Sequence, residues 1–171
     1  MKGIVIFASR NGSTRRYASW LAEETGFALE EAGKVRRLDG YDVVVLGSCI
    51  VAGKPAMANW IKKRWPELRG RKPVLFTVAG AEKADPKRQA WVRDGLGEAI
   101  ASELPHVALD GKMVFADMRP FDRALMGLAI KMTAKKDPEE ARAMGREFDR
   151  VKREDLALVK AALAARGAAA S

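Results

Sequence analysis

The sequence predicts an α/β fold in which a five-stranded parallel sheet is doubly wound, with helices on both faces making a three-layer sandwich. Short continuous apolar runs at Gly3 to Ala8, Val43 to Gly47 and Pro73 to Ala79 have the length and composition of strands buried on both sides. Stretches of helical periodicity separate them, and this alternation implies right-handed crossovers and a parallel sheet. A length of 171 residues suits one domain. That domain is expected over residues 1–166, with a frayed Ala-rich tail at 167–171.

Taken in order, the strand at Gly3 to Ala8 leads into a helix from Thr14 to about Thr25, where Ala18, Leu21, Ala22 and Thr25 share one face and Gly26 ends it. Phe27 to Leu29 is a short second strand. Asp39-Gly40-Tyr41-Asp42 turns the chain into the third strand, Val43 to Gly47. A loop at Val51 to Pro55 precedes a helix around Met57 to Trp65, which Pro66 is expected to stop. After the fourth strand, Asp85-Pro86 caps one long helix, Lys87 to Glu103, with Trp91, Leu96, Ala99 and Ile100 on its buried side. Lys112 to Met118 is read as the fifth strand. Two helices follow, Phe121 to Thr133 and a long one ending near Arg166.

Hydrophobic residues at 48% and charged residues at 31% point away from disorder, and no run approaches the ~18 consecutive apolar residues of a spanning helix. The lone cysteine, Cys49, excludes an internal disulfide, and the chain opens with no secretory pattern, so a cytoplasmic location is expected. The net charge of +9 favours anionic partners. It concentrates at Lys54, Lys62, Lys63, Arg64, Arg69, Arg71 and Lys72, and again at Lys112, Arg119, Arg123, Lys131, Lys135 and Lys136. No nucleic-acid partner is expected. No Cys and His cluster suggests a metal site, and no nucleophile, base and acid constellation suggests hydrolysis.

In such sheets ligands sit beyond the carboxyl ends of the strands, so the loops after the first, third and fourth strands are the places for chemistry. The first reads Ser9-Arg10-Asn11-Gly12-Ser13-Thr14 and runs straight into a helix. Free N–H groups at that helix start, the dipole, and the curvature Gly12 permits all favour an anion there. Hydroxyl and amide side chains add donors, and Arg10 adds charge. The same residues also fit a plain turn and helix cap. Neither the dinucleotide glycine fingerprint nor a P-loop is present, which weakens nicotinamide and ATP readings.

The pattern Ser9-x-Asn11-Gly12-x-Thr14 resembles the phosphate loop of the flavodoxin family, with Asn11 where threonine is usual. Tyr41 to Ser48 is similar to that family's third strand and first ring-binding loop. Val114 to Asp122, with the Leu-, Met- and Lys-rich helix that follows, resembles the menaquinone-dependent protoporphyrinogen oxidase branch. The resemblance implies a flavodoxin-like sheet of order 2-1-3-4-5 and bound FMN. It assigns the cofactor to Ser9, Arg10, Asn11, Gly12, Ser13 and Thr14, to Ser48, Cys49, Ile50 and Val51, and to Ala79, Gly80 and Ala81. It also implies flavin-borne redox chemistry on a porphyrinogen, with a quinone or redox protein as acceptor. The propionates of such a substrate suit clustered Arg and Lys, and the same charge suits peripheral contact with an anionic membrane.

Neither Ser48 to Gly53 nor Gly80 to Asp85 contains an aromatic residue, which leaves Ile50, Val51 or Trp60 to meet a flavin ring. Two alternatives therefore stand beside the enzyme: an electron carrier, and a binding domain of the same fold without flavin. Phe121, Leu125, Leu128 and Met132 form one helical stripe, which fits a helix covering the sheet or one lying in a membrane interface. Cys49 is read as a buried filler rather than a redox thiol, and His106, away from the ligand end, as structural or exposed.

Overall fold

The computed structural model describes residues 1–167, so positions 168–171 of the expected tail lie outside the described residues. Five parallel strands form its centre: β1 (Gly3–Ala8), β2 (Ala28–Glu31), β3 (Val43–Val51), β5 (Val74–Ala79) and β6 (His106–Asp110). Between β3 and β5 the chain adds β4 (Lys54–Pro55), antiparallel to the end of β3. Counted among themselves the five parallel strands lie in the expected order 2-1-3-4-5; the extra β4, attached to β3, makes the sheet six-stranded and shifts the labels to β2-β1-β3-β5-β6. A two-residue turn makes the extra strand, with Ala52 and Gly53 both at positive φ, 49° and 72°.

Side-chain alternation along the strands builds two cores. Ile4, Ile6, Val44, Leu46 and Leu75 face one way, onto α2 (Ala58–Leu68), α3 (Lys87–Leu96) and α4 (Glu98–Glu103). Val5, Phe7, Val43, Val45, Val74 and Phe76 face the other, onto α1 (Ser13–Thr25) and α7 (Leu156–Ala165). Each such buried aliphatic or aromatic side chain contributes about 1.5–3 kcal/mol by transfer from water. These positions fix the sheet register, because a slip of one residue would turn each set toward the wrong helices.

Several elements differ from expectation. Pro66 does not end α2: it sits in the last turn, which continues to a fully buried Leu68. The long helix over 87–103 is two helices, because Gly97 adopts φ 84° and ψ 153°, a backbone few other residues tolerate. Its buried side carries Arg88, Val92 and Leu96, while Trp91 is only partly covered. The fifth parallel strand lies at His106–Asp110, six residues before the expected start. Residues 112–118 instead give β7 (Lys112–Met113), paired with β8 (Phe148–Asp149), and a 3₁₀ turn at Phe115–Asp117. The expected long final helix is α6 (Pro138–Met144), β8, a 3₁₀ turn and α7.

The helix α5 (Pro120–Ala134) stands outside both cores, with no buried residue, and packs chiefly on α6. Its stripe does not cover the sheet. Both sheet faces are already occupied, and Phe121, Leu125, Leu128 and Met132 are 71%, 56%, 55% and 61% exposed.

Polar side chains tie the ends of the strands together. Arg88 is fully buried, and its guanidinium donates to the carbonyls of Thr77 (2.8 Å), Ala81 (2.9 Å) and Leu109 (3.1 Å). It thus holds the loop after β5 against β6. At the start of β6, away from the ligand end, His106 Nε2 lies 2.7 Å from Thr77 Oγ1, which also accepts from Arg88. Tyr17 of α1 donates to the Asp110 carbonyl (3.0 Å) and accepts from the Lys152 amide (3.2 Å), and burial pushes its hydroxyl up to about 12.

Candidate functional site

The loop from Ser9 to Gly12 joins the carboxyl end of β1 to α1. Gly12 takes φ 89°, and its amide donates to Ser9 Oγ at 3.2 Å, which curls the loop. No side chain caps α1, so the first amides of the helix remain for a ligand. Thr14 is 1% exposed and Ser13 is 7% exposed. Thr14 Oγ1 and Asn11 Oδ1 are buried without any hydrogen-bond partner among the described residues. A buried polar atom left unpaired costs about 1–3 kcal/mol, and two of them in one loop of a folded protein mark a place built for a missing partner.

That loop borders a cleft of about 100 Å³, in which Ser9, Arg10, Asn11, Ser13 and Thr14 meet Cys49 and Ile50 from β3, Ala79 and Gly80 from the end of β5, and Gly111 and Lys112 after β6. Nine of the residues singled out in the sequence thus converge. Ser48 does not line the cleft: it is fully buried, and its hydroxyl accepts from the Met57 amide at 3.1 Å, fixing the turn into α2. Val51 belongs to the β3–β4 hairpin, and Ala81 serves Arg88 with its carbonyl. Gly12 faces the other side of the loop.

Lys112 was hidden in the sequence among other cations. Its backbone amide donates to Ser13 Oγ at 3.3 Å, and a methyl on Gly12 would stand 4.0 Å from its Nζ. Its side chain, only 14% exposed, pairs with Asp117 at 2.5 Å. A cation at a helix start lined with free donors makes the cleft a receptor for an anionic group. Arg10 turns elsewhere, toward Asp122 of α5: Nε donates to Oδ2 at 2.7 Å and a second contact joins NH2 to Oδ1. This pairing holds the Asp122 carboxyl below its usual range. Burial pushes the Cys49 thiol up, which keeps it neutral and unsuited to nucleophilic redox work.

Aromatic side chains stand behind the loops rather than in them. Phe148 of β8 approaches Gly80, where a methyl would meet its ring at 3.4 Å, and Trp91 stands equally close to Gly53. Arg150 stacks on Phe148 at 4.1 Å and donates to the Gly80 carbonyl. Only the three-dimensional pairing of β7 with β8 brings Phe148 and Arg150 to the site, so the local sequence carried no signal of them.

A profile of the flavodoxin domain matches residues 4–140. The chain belongs to the flavodoxin family. The family binds FMN, and the matched span of this flavodoxin-like chain includes the whole cleft. Among curated proteins it is 27% identical over 150 residues to protoporphyrinogen IX dehydrogenase [quinone] of Escherichia coli strain K12, covering 78% of this chain and 81% of the relative. The same figures hold for the proteins of that name in Escherichia coli O6:H1 and O157:H7. Among solved structures, a flavoprotein of Lactobacillus acidophilus NCFM in complex with FMN superposes with TM-score 0.45 and 14% identity over 64% of this chain and 91% of that chain.

Proposed function

We propose that this chain is an FMN-dependent oxidoreductase that takes electrons from a carboxylate-bearing substrate of the porphyrinogen class and passes them to a quinone. The observation that carries the proposal is the Thr14 hydroxyl, a buried donor without a hydrogen-bond partner among the described residues, at an uncapped helix start beside Lys112. These residues fit a phosphate monoester. In this reading Ser9, Ser13, Thr14 and the Asn11 Nδ2 hold the FMN phosphate, Gly12 curling the loop around it, with Lys112 added to the set. Cys49, Ile50, Ala79 and Gly80 edge the ring. Bound FMN supplies the electron or hydride transfer. The chain's own residues anchor the anionic tail and, through Arg88, keep the 79–81 turn in place. Similarity to the Escherichia coli dehydrogenase supports the substrate class and acceptor.

Titration of the purified protein with FMN, followed by an anaerobic assay with protoporphyrinogen IX and a quinone, tests this. The expected result is stoichiometric flavin uptake and quinone-dependent porphyrin formation. Flavin uptake without turnover would instead indicate an electron carrier. Refusal of FMN would indicate a binding domain of the same fold, the reading favoured by the absence of aromatic residues from 48–53 and 80–85.

The partner side of the proposal is an anionic lipid surface met by α5. Its exposed row Phe121, Leu125, Leu128 and Met132 is flanked by Lys131, Lys135 and Lys136, which make no ion pair among the described residues. An apolar strip edged with free cations complements an anionic bilayer, each lysine contributing about 1 kcal/mol near such a surface. None of the described helices is long and apolar enough to cross a membrane. Sedimentation with phosphatidylglycerol vesicles is expected to carry the protein down in low salt, phosphatidylcholine vesicles much less, and Leu125→Glu with Leu128→Glu to abolish the effect. Equal recovery of both proteins in the supernatant would overturn the assignment, as would a salt-insensitive dimer that those two substitutions dissolve.

A further inference from the structure

A second and larger cleft of about 440 Å³ opens on the other side of the phosphate loop, between the carboxyl ends of β1 and β2. It shares only Ser9 and Arg10 with the first. Its lining includes Ala8, Ala32 and Gly33, with the nearly buried Phe7 beneath the Arg15 guanidinium, and its rim carries three guanidinium groups, Arg10, Arg15 and Arg119, against one carboxylate, Glu31. We propose that this cleft seats the carboxylates of an amphiphilic organic acid, the electron donor of the reading above, with the donor's apolar body against Ala8 and Gly33.

The three cations differ in availability. Arg10 is committed to Asp122 and forms a fixed wall. Arg15 pairs with Glu31 at 2.5 Å, but both groups are well exposed, and its guanidinium lies 5.6 Å over the Phe7 ring. Such an exposed pair contributes little to stability and exchanges readily for another carboxylate. Arg119 has no ion-pair partner among the described residues. Two guanidinium groups are therefore open to a ligand.

The donor set also selects the ligand. The Ala32 amide is already spent on the Phe7 carbonyl and the Gly12 amide on Ser9, so no nest of backbone amides awaits a phosphate here. What remains are planar forks, which match planar carboxylates bidentately. The methyl and glycine surface of Ala8 and Gly33 suits an apolar skeleton between them. Arg119 immediately precedes α5, so the cleft lies at the root of the helix assigned to the lipid surface, where an amphiphilic acid would arrive.

The inference rests on the oxidoreductase reading only for the ligand's redox role, and its test separates the two. Protoporphyrin IX, a dicarboxylate, is titrated into the FMN-loaded protein, its dimethyl ester serving as the uncharged control, with Arg15→Gln, Arg119→Gln and the double variant. Loss of a charge-assisted carboxylate contact weakens binding about tenfold to a hundredfold. The double variant is expected to bind the diacid at least tenfold more weakly, to bind the ester as the unaltered protein does, and to keep its FMN affinity. Unchanged diacid binding in the double variant overturns the inference, and so does a parallel fall in FMN affinity. Porphyrin binding that follows these cations without any turnover leaves the cleft standing and removes the enzyme. Turnover with an unaltered KM in the double variant leaves the enzyme and removes the cleft.

Discussion

Replacing Thr14 by valine is expected to stabilise the flavin-free protein while weakening FMN binding by about ten- to a hundredfold. The two effects have opposite signs because Thr14 is 1% exposed and its hydroxyl has no hydrogen-bond partner among the described residues. Valine is nearly isosteric, so it removes an unpaired buried polar atom at no cost in packing, a gain of about 1 kcal/mol. In the proposed complex the same hydroxyl would donate to a phosphate oxygen, and a hydrogen bond to a charged acceptor is worth about 1.5–3 kcal/mol. Thermal melts of the apoprotein and flavin titration by fluorescence quenching measure the pair of numbers. A variant that melts lower and binds FMN unchanged would show that Thr14 is an ordinary first-turn residue, and the phosphate assignment would fall with it.

Mild acid should destabilise the protein through His106. Burial, and then the charge of Arg88, lower its pKa from 6.5 to about 4. The physical reason is local: Nδ1 has no partner among the described residues, and Thr77 Oγ1, which faces Nε2, already faces the Arg88 cation. An unfolded chain therefore takes up a proton between about pH 6.5 and 4 that the folded chain refuses. The stabilising contribution is full above pH 6.5 and is lost progressively as the pH falls toward 4, by about 2 kcal/mol at pH 5 and at most about 3 kcal/mol in all. Urea unfolding at pH 7 and pH 5, compared with His106→Gln, isolates this residue from the carboxylates common to both proteins. Parallel pH curves for the two would rule the account out.

The β1, β3 and β5 strands were legible because each is a closed apolar run whose residues alternate between two cores, as Ile4 and Ile6 against Val5 and Phe7 illustrate. The loop from Ser9 to Thr14 was legible for a different reason: its short polar side chains and glycine sit between a strand and a helix. Residues 112–118 misled because Val114, Phe115 and Met118 have strand-like composition, whereas His106–Asp110, with a histidine and an aspartate at its ends, looks weaker and yet pairs with β5 along its length. Pairing with a neighbour, not composition, decided between them. Lys112, Phe148 and Arg88 escaped notice for the same cause, since each reaches the site only across elements distant in sequence. The α5 stripe shows the limit of periodicity: it signals that one face of a helix is apolar, not that the protein supplies the surface to cover it.

Arg10 is a partition shared by two chambers, and its orientation is set from outside both of them by Asp122. Any event that draws α5 away releases this side chain to swing toward one chamber or the other. If Arg10 then favoured a ligand on one side, occupancy there would alter affinity on the other, and thermodynamic reciprocity requires the reverse influence to be equally strong. Donor and cofactor would in that way sense each other through a single guanidinium.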